Sequence, residues 1–170
     1  MKDLFSLITE DEKQKLISSI AYVTVLIAGA DGKINNAETE WAEKLTKIRS
    51  FAHHKALQQF YETVGADFHS KLENLIASLP TDNTLRANYL AEKLAEIDPI
   101  LQKLPTEYGA ILYQSLTSFA KHVAKASGGF LGFASISANE AKLIGLKMLT
   151  PIMAIVNDED FEMEEDEDEE

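Results

Sequence analysis

Apolar side chains recur at helical spacing along most of this chain, and this spacing constrains the fold more than any other feature. The apolar positions from Leu16 to Ile27 follow an i, i+4, i+7, i+11 pattern, and those from Leu112 to Val123 repeat it. On a helix such positions form one stripe, which a soluble protein buries. No alternating run of β-branched residues is long enough to predict a strand. The pattern therefore predicts an all-α fold.

Helix-capping residues, glycines and prolines divide the chain into about seven or eight predicted helices in a single bundle. Thr9-x-x-Glu12 is typical of a capping box at a helix start, and Gly29 and Gly32 flank the end of that helix. We expect the last helix to bend or break at Pro151. The predicted helices cover residues 10–30, 36–49, 55–63, 67–78, 82–96, a short segment between Pro99 and Pro105, 106–126 and 137–156.

The charge of the chain is concentrated at its carboxyl end. The chain has 170 residues, enough for one domain, and a net charge of −12. Eleven carboxylates and no base lie between Asp158 and Glu170, which leaves 17 acids against 16 bases in the body. We therefore predict a helical domain over 1–157 and a disordered acidic tail over 158–170. For the tail, solubility, docking to a basic partner and loose collection of divalent ions all remain open.

Composition excludes several classes of protein. With Arg49 and Arg86 as its only arginines and no basic patch, the chain does not have the charge of a nucleic-acid binder. The absence of cysteine excludes disulfides and thiolate metal sites. Met1–Phe5 shows no signal peptide, and the uncharged stretch Leu16–Ala30 is too short to span a membrane. We expect a cytoplasmic protein with protein partners, and peripheral association with a membrane complex remains open.

Motifs of known enzymes do not occur in the chain. There is no His-Glu-x-x-His zinc motif, no Gly-x-Ser-x-Gly nucleophile elbow, and no glycine-rich phosphate loop with a lysine. The sequence therefore predicts a protein that is not an enzyme.

One short pattern occurs twice. Ile34-Asn35-x-x-Glu38 and Ile136-Ser137-x-x-Glu140 each follow a long apolar helix and a loop, and they lie 102 residues apart. Two such helix–loop–helix units can pack about a pseudo-twofold axis. That arrangement would bring both loops and both glutamates to one end of the bundle.

The first of these loops carries the elements of a cation site. Asp31, Gly32 and Glu38 match positions five, six and twelve of an EF-hand loop, whereas positions one and three fall on Ile27 and Gly29, which offer no side-chain oxygen. Two carboxylates across a tight turn suit a hard cation. The alternative is purely structural, because Asn35-x-x-Glu38 and Ser137-x-x-Glu140 are both capping boxes as well, and Asp-Gly is a common turn dipeptide.

These residues resemble the TerB-like domains of the tellurite resistance family. The resemblance covers roughly residues 9–156, and its specific part is the Asp31–Glu38 loop with a weaker copy before Glu140. It implies an all-helical bundle of two pseudo-symmetric halves, a role in bacterial tellurite and stress-response systems, and an acidic cluster that binds a divalent cation such as calcium. By position, the metal ligands are Asp31, Glu38 and Glu140. The function implied is a non-enzymatic scaffold or sensor, with a purely structural interaction domain without an ion as the alternative.

The second loop departs from that family pattern. Residues 126–136 contain no carboxylate and instead place Phe130, Leu131 and Phe133 among glycines. Large apolar side chains on a permissive backbone suggest a partner-binding surface at these three residues. A lid folded onto the bundle and a peripheral membrane contact are the alternatives.

Overall fold

Eight α-helices and one 3-10 helix form the regular structure of residues 3–126 and 136–154, the residues that the computed structural model describes. No strand occurs in these two ranges, so the all-α prediction is confirmed. The 3-10 helix is Leu4–Leu7, and the α-helices are α1 Glu10–Ala28, α2 Asn36–Arg49, α3 Lys55–Gly65, α4 Phe68–Ser78, α5 Asn83–Ala95, α6 Asp98–Lys103, α7 Thr106–Lys125 and α8 Ala138–Leu143.

Helix starts lie where the capping residues place them. At α1 the Thr9 hydroxyl accepts a hydrogen bond from the Glu12 amide, and the Glu12 carboxylate accepts one from the Thr9 amide. The side chains of Asn35 and Asp82 cap α2 and α5 by accepting a hydrogen bond from the amides of Glu38 and Leu85, without the reciprocal bond. These starts were predictable because a cap needs only residues within one helical turn.

α1 is the central helix of the bundle. It packs against α2, α3, α4, α5 and α7 and contacts α8. The predicted stripes of α1 and α7 are buried in one hydrophobic core, to which the helices α1 to α7 all contribute. The described part of the chain contains no helix that is both long and apolar enough to cross a membrane.

The last predicted helix is wrong beyond Leu143. The chain turns after α8 instead of continuing to residue 156, and Leu146 adopts a left-handed backbone with a φ of 44°. Glycine at position 145 disfavours a helix, and Pro151 further along cannot donate a helical hydrogen bond. By leaving the helix, the chain buries Leu146 and Leu149 in the core.

The two helix–loop–helix units identified in the sequence are neighbours in space. α1 and α2 both pack against α7, and α8 contacts α1. The connection between α7 and α8, with Phe130, Leu131 and Phe133, lies outside the described residues, as does the acidic tail. The partner surface predicted on that connection and the character of the tail stay predictions.

Candidate functional site

The loop between α1 and α2 is a tight turn around Asp31. Gly32 has a φ of 103°, a backbone conformation that glycine adopts without steric cost, and its amide donates to the Gly29 carbonyl at 3.0 Å. The Asn35 amide donates to the Ala28 carbonyl at 2.9 Å and closes the loop. This turn places the Asp31 side chain at the surface.

Arg86 of α5 donates hydrogen bonds to the same loop. Its Nη2 donates to the carbonyl oxygens of Gly29 and Gly32, at 3.0 and 2.9 Å, and to Asn83 Oδ1 at 3.1 Å. A side chain at position 29 would bring its Cβ within 2.9 Å of Arg86 Nη2, so the close approach requires glycine there. Arg86 is only 6 % exposed, and its guanidinium supplies positive charge where two carbonyl dipoles converge.

Asp31 joins the first helix–loop–helix unit to the second. Its Oδ1 accepts a hydrogen bond from Asn139 Nδ2 at 2.9 Å and a longer one from Ser137 Oγ at 3.4 Å. Both donors lie at the start of α8, more than 100 residues later in the chain. The structure therefore brings Asp31 to the helix that carries Glu140, as the repeat predicted.

Glu140 forms a capping box at the start of α8. Its carboxylate accepts from the Ser137 amide at 2.8 Å, and its own amide donates to Ser137 Oγ at 3.2 Å. Glu140 is 4 % exposed. Glu140 therefore caps α8, and its assignment as a metal ligand stays a prediction.

Glu38 stands at the matching position of α2, but its surroundings differ. Its amide donates to Asn35 Oδ1 at 3.1 Å, which makes the first half of a capping box. The Asn35 amide instead donates to Ala28, so the second half found at Glu140 is replaced by a loop-closing bond. The Glu38 side chain is fully buried.

The predicted metal ligands are not assembled as a ligand group. Asp31, Glu38 and Glu140 are all among the described residues, and within these residues no three His, Asp or Glu side chains are arranged to hold a metal ion. Asp31 and Glu140 accept hydrogen bonds from neutral donors at a turn and a cap. The structure thus brings Asp31 to the start of α8, the helix that carries Glu140, without forming a coordination shell.

A buried polar network surrounds Arg49, and it was not predicted from the sequence. Its Nη1 donates to the Tyr61 hydroxyl at 2.9 Å and to the Ser115 carbonyl at 2.8 Å, and its Nη2 donates to Ser118 Oγ at 2.9 Å. The guanidinium also lies 5.3 and 5.2 Å from the ring centres of Tyr61 and Phe119. One signal was available, because Arg49 falls i+4 from Leu45 on the apolar stripe of α2.

Ser115 in this network has a neighbour that sequence reasoning missed. Its Oγ lies 2.9 Å from His53 Nε2 and 2.6 Å from the Tyr61 hydroxyl. A hydroxyl beside an imidazole is the arrangement that nucleophilic catalysis uses. Ser115 is 1 % exposed and His53 6 %, so a substrate does not reach the hydroxyl in this conformation. The network ties α2, α3 and α7 together.

Comparison with known proteins adds no family to this description. No protein-family model, no curated protein and no solved structure matches the chain. The TerB-like resemblance of the Asp31–Glu38 loop therefore stays a prediction.

Proposed function

We propose that this chain is a non-enzymatic helical interaction module of the TerB-like kind, a scaffold or sensor in a bacterial stress-response system. The observation that carries the proposal is the contact of Asp31 with Asn139 and Ser137 at the start of α8. Through this contact the acidic loop acts as a joint between two helix–loop–helix units. An aspartate whose oxygen accepts two neutral donors serves that joint without an ion.

Divalent-cation binding at the joint is the second candidate. It is favoured by one specific arrangement, in which buried glutamates occupy the third position of both α2 and α8 while Asp31 bridges the two units. A cation there would need further oxygen ligands, because calcium takes six to eight. The two candidates differ in whether cations stabilise the folded chain.

Thermal unfolding of the full chain with added calcium, magnesium or manganese separates these candidates. A ligand that binds only the folded state raises the melting temperature by mass action. The matched control is the double variant Asp31→Asn with Glu140→Gln, which keeps the size of both side chains and the acidic tail. We expect each cation to shift the melting temperature of both proteins equally, since the tail is common to them. A larger rise in the melting temperature of the unsubstituted chain would contradict an interaction module without an ion. It would support cation binding at the joint.

A further inference from the structure

An open groove lies between α2 and α4. Its volume is about 270 Å³. Leu72, which is buried, and the half-buried Ile76 contribute its apolar surface. Glu40, Glu43 and Glu73 line it with carboxylates, and the side chain of Glu73 is 69 % exposed. The groove therefore combines an apolar base with a negatively charged rim.

His69 lies in this groove between two of the carboxylates. Its Nδ1 is 3.0 Å from Glu43 Oε2, and its Nε2 is 3.2 Å from Glu73 Oε1. An imidazole donates from both nitrogens only when it carries both protons, and it is then a cation. The His69 side chain is 63 % exposed, and exposed pairs of this kind contribute little stability. When His69 is protonated, the groove thus holds a cationic group of its own that another cation can replace.

We propose that this α2–α4 groove binds a lysine or arginine side chain of a basic segment in a partner protein, which displaces His69 from Glu43 and Glu73. The inference rests on the interaction function proposed above. The alkyl part of a long basic side chain fits against Leu72 and Ile76, and its charged end pairs with the carboxylates. Charge complementarity supports this occupant, because three carboxylates line the groove, whereas among the described residues only His69 and Lys47 pair with them.

The geometry makes this binding depend on pH. The charged groups around His69 are Glu40 and Glu43 from α2 and Glu73 from α4, with Lys47 Nζ 3.7 Å from Glu43 Oε1. The hydrogen bond to Glu43, followed by the charge of Glu73, raises the pKa of His69. Above that pKa the neutral imidazole no longer competes for the two carboxylates, while a lysine stays charged. Affinity for a basic segment should therefore rise as the pH increases.

Calorimetric titration of the full chain with a short acetylated and amidated lysine–alanine peptide tests the proposal. The groove variant is Glu40→Gln with Glu73→Gln. The matched control, Glu62→Gln with Glu92→Gln, removes the same charge from exposed positions on α3 and α5. We expect the groove variant to bind the peptide about fivefold more weakly than the control, as for the loss of two exposed ion pairs. Equal affinities of the two variants would assign binding to the tail and overturn the proposal.

The pH dependence provides the second measurement. We expect the affinity of the unsubstituted chain to increase between about pH 6 and about pH 8, the range in which histidine titrates. His69→Gln should remove that increase, and a variant that retains it would contradict the displacement of His69. If either measurement contradicts binding in the groove, the function proposed for the Asp31 joint still stands. The melting experiment with added cations tests that joint separately.

Discussion

Arg86 and Arg49 are both buried, although arginine is mostly found at protein surfaces. Each donates several hydrogen bonds to oxygens that burial has removed from water. An unpaired buried carbonyl is costly, so the importance of these side chains lies in the oxygens they satisfy. From the sequence, the scarcity of arginine indicated only that nucleic acid is not a partner.

Replacing Arg86 with methionine should destabilise the protein. Arg86→Met removes this donor from the Gly32 carbonyl and leaves the Gly29 carbonyl with the Gly32 amide alone, and we expect the free energy of unfolding to fall by about 1–3 kcal/mol. Urea unfolding followed by circular dichroism measures it. The control Lys121→Met, at an exposed position of α7, should change it by less than about 0.5 kcal/mol. Equal effects of the two variants would contradict the role given to Arg86.

The role of a single residue was predictable from the sequence where it depends on neighbours along the chain. The capping box of Glu140 was predictable as one of two roles because Ser137 lies only three positions away. The contact of Asp31 with Asn139 was predictable only as a neighbourhood, through the repeated motif, because no local rule pairs residues 108 positions apart. The left-handed backbone of Leu146 was not predictable, since this conformation is rare for a branched side chain.

At the scale of elements, helix starts followed from sequence better than helix ends. α1 and α2 begin at their predicted caps, whereas the helix predicted from Ser137 ends at Leu143. A cap is set within one turn, but the end of α8 depends on burying Leu146 and Leu149 against the rest of the bundle. Tertiary packing overrides local preference there.

The capping box of α1 gives a test at this scale. Thr9→Ala removes the hydroxyl that accepts the Glu12 amide, and we expect the free energy of unfolding to fall by about 1 kcal/mol. Thr9→Ser keeps a hydroxyl and should retain most of the stability. Chemical denaturation of the two variants measures the difference. If serine were as destabilising as alanine, the cap would not be the source of the effect.

At the scale of the whole molecule, the Ser115 network connects elements that are far apart in sequence. The Ser115 hydroxyl forms hydrogen bonds with Arg49 of α2, Tyr61 of α3 and His53 of the segment between them. The three groups meet one hydroxyl of α7 inside the core. Such a network fixes the relative positions of the helices, because each member is buried with its hydrogen bonds.

Removing that hydroxyl tests the structural role of the network. Ser115→Ala takes a partner from Arg49, His53 and Tyr61, and we expect a loss of about 1–3 kcal/mol in the free energy of unfolding. Ser70→Ala, on the exposed side of α4, is the control and should be nearly neutral. Thermal and urea unfolding measure both variants. Unchanged stability of Ser115→Ala would show that the network does not hold the helices together.

The joint between Asp31 and α8 also bears on synthesis. Its two sides are separated by more than 100 residues, so a ribosome must deliver most of the chain before the contact can form. α2 and α3 can pack together earlier, since these two helices are adjacent in the sequence. The Asp31 side chain therefore lacks these partners until the start of α8 has been synthesised, so this contact forms only after α5 has supplied Arg86 to the same loop.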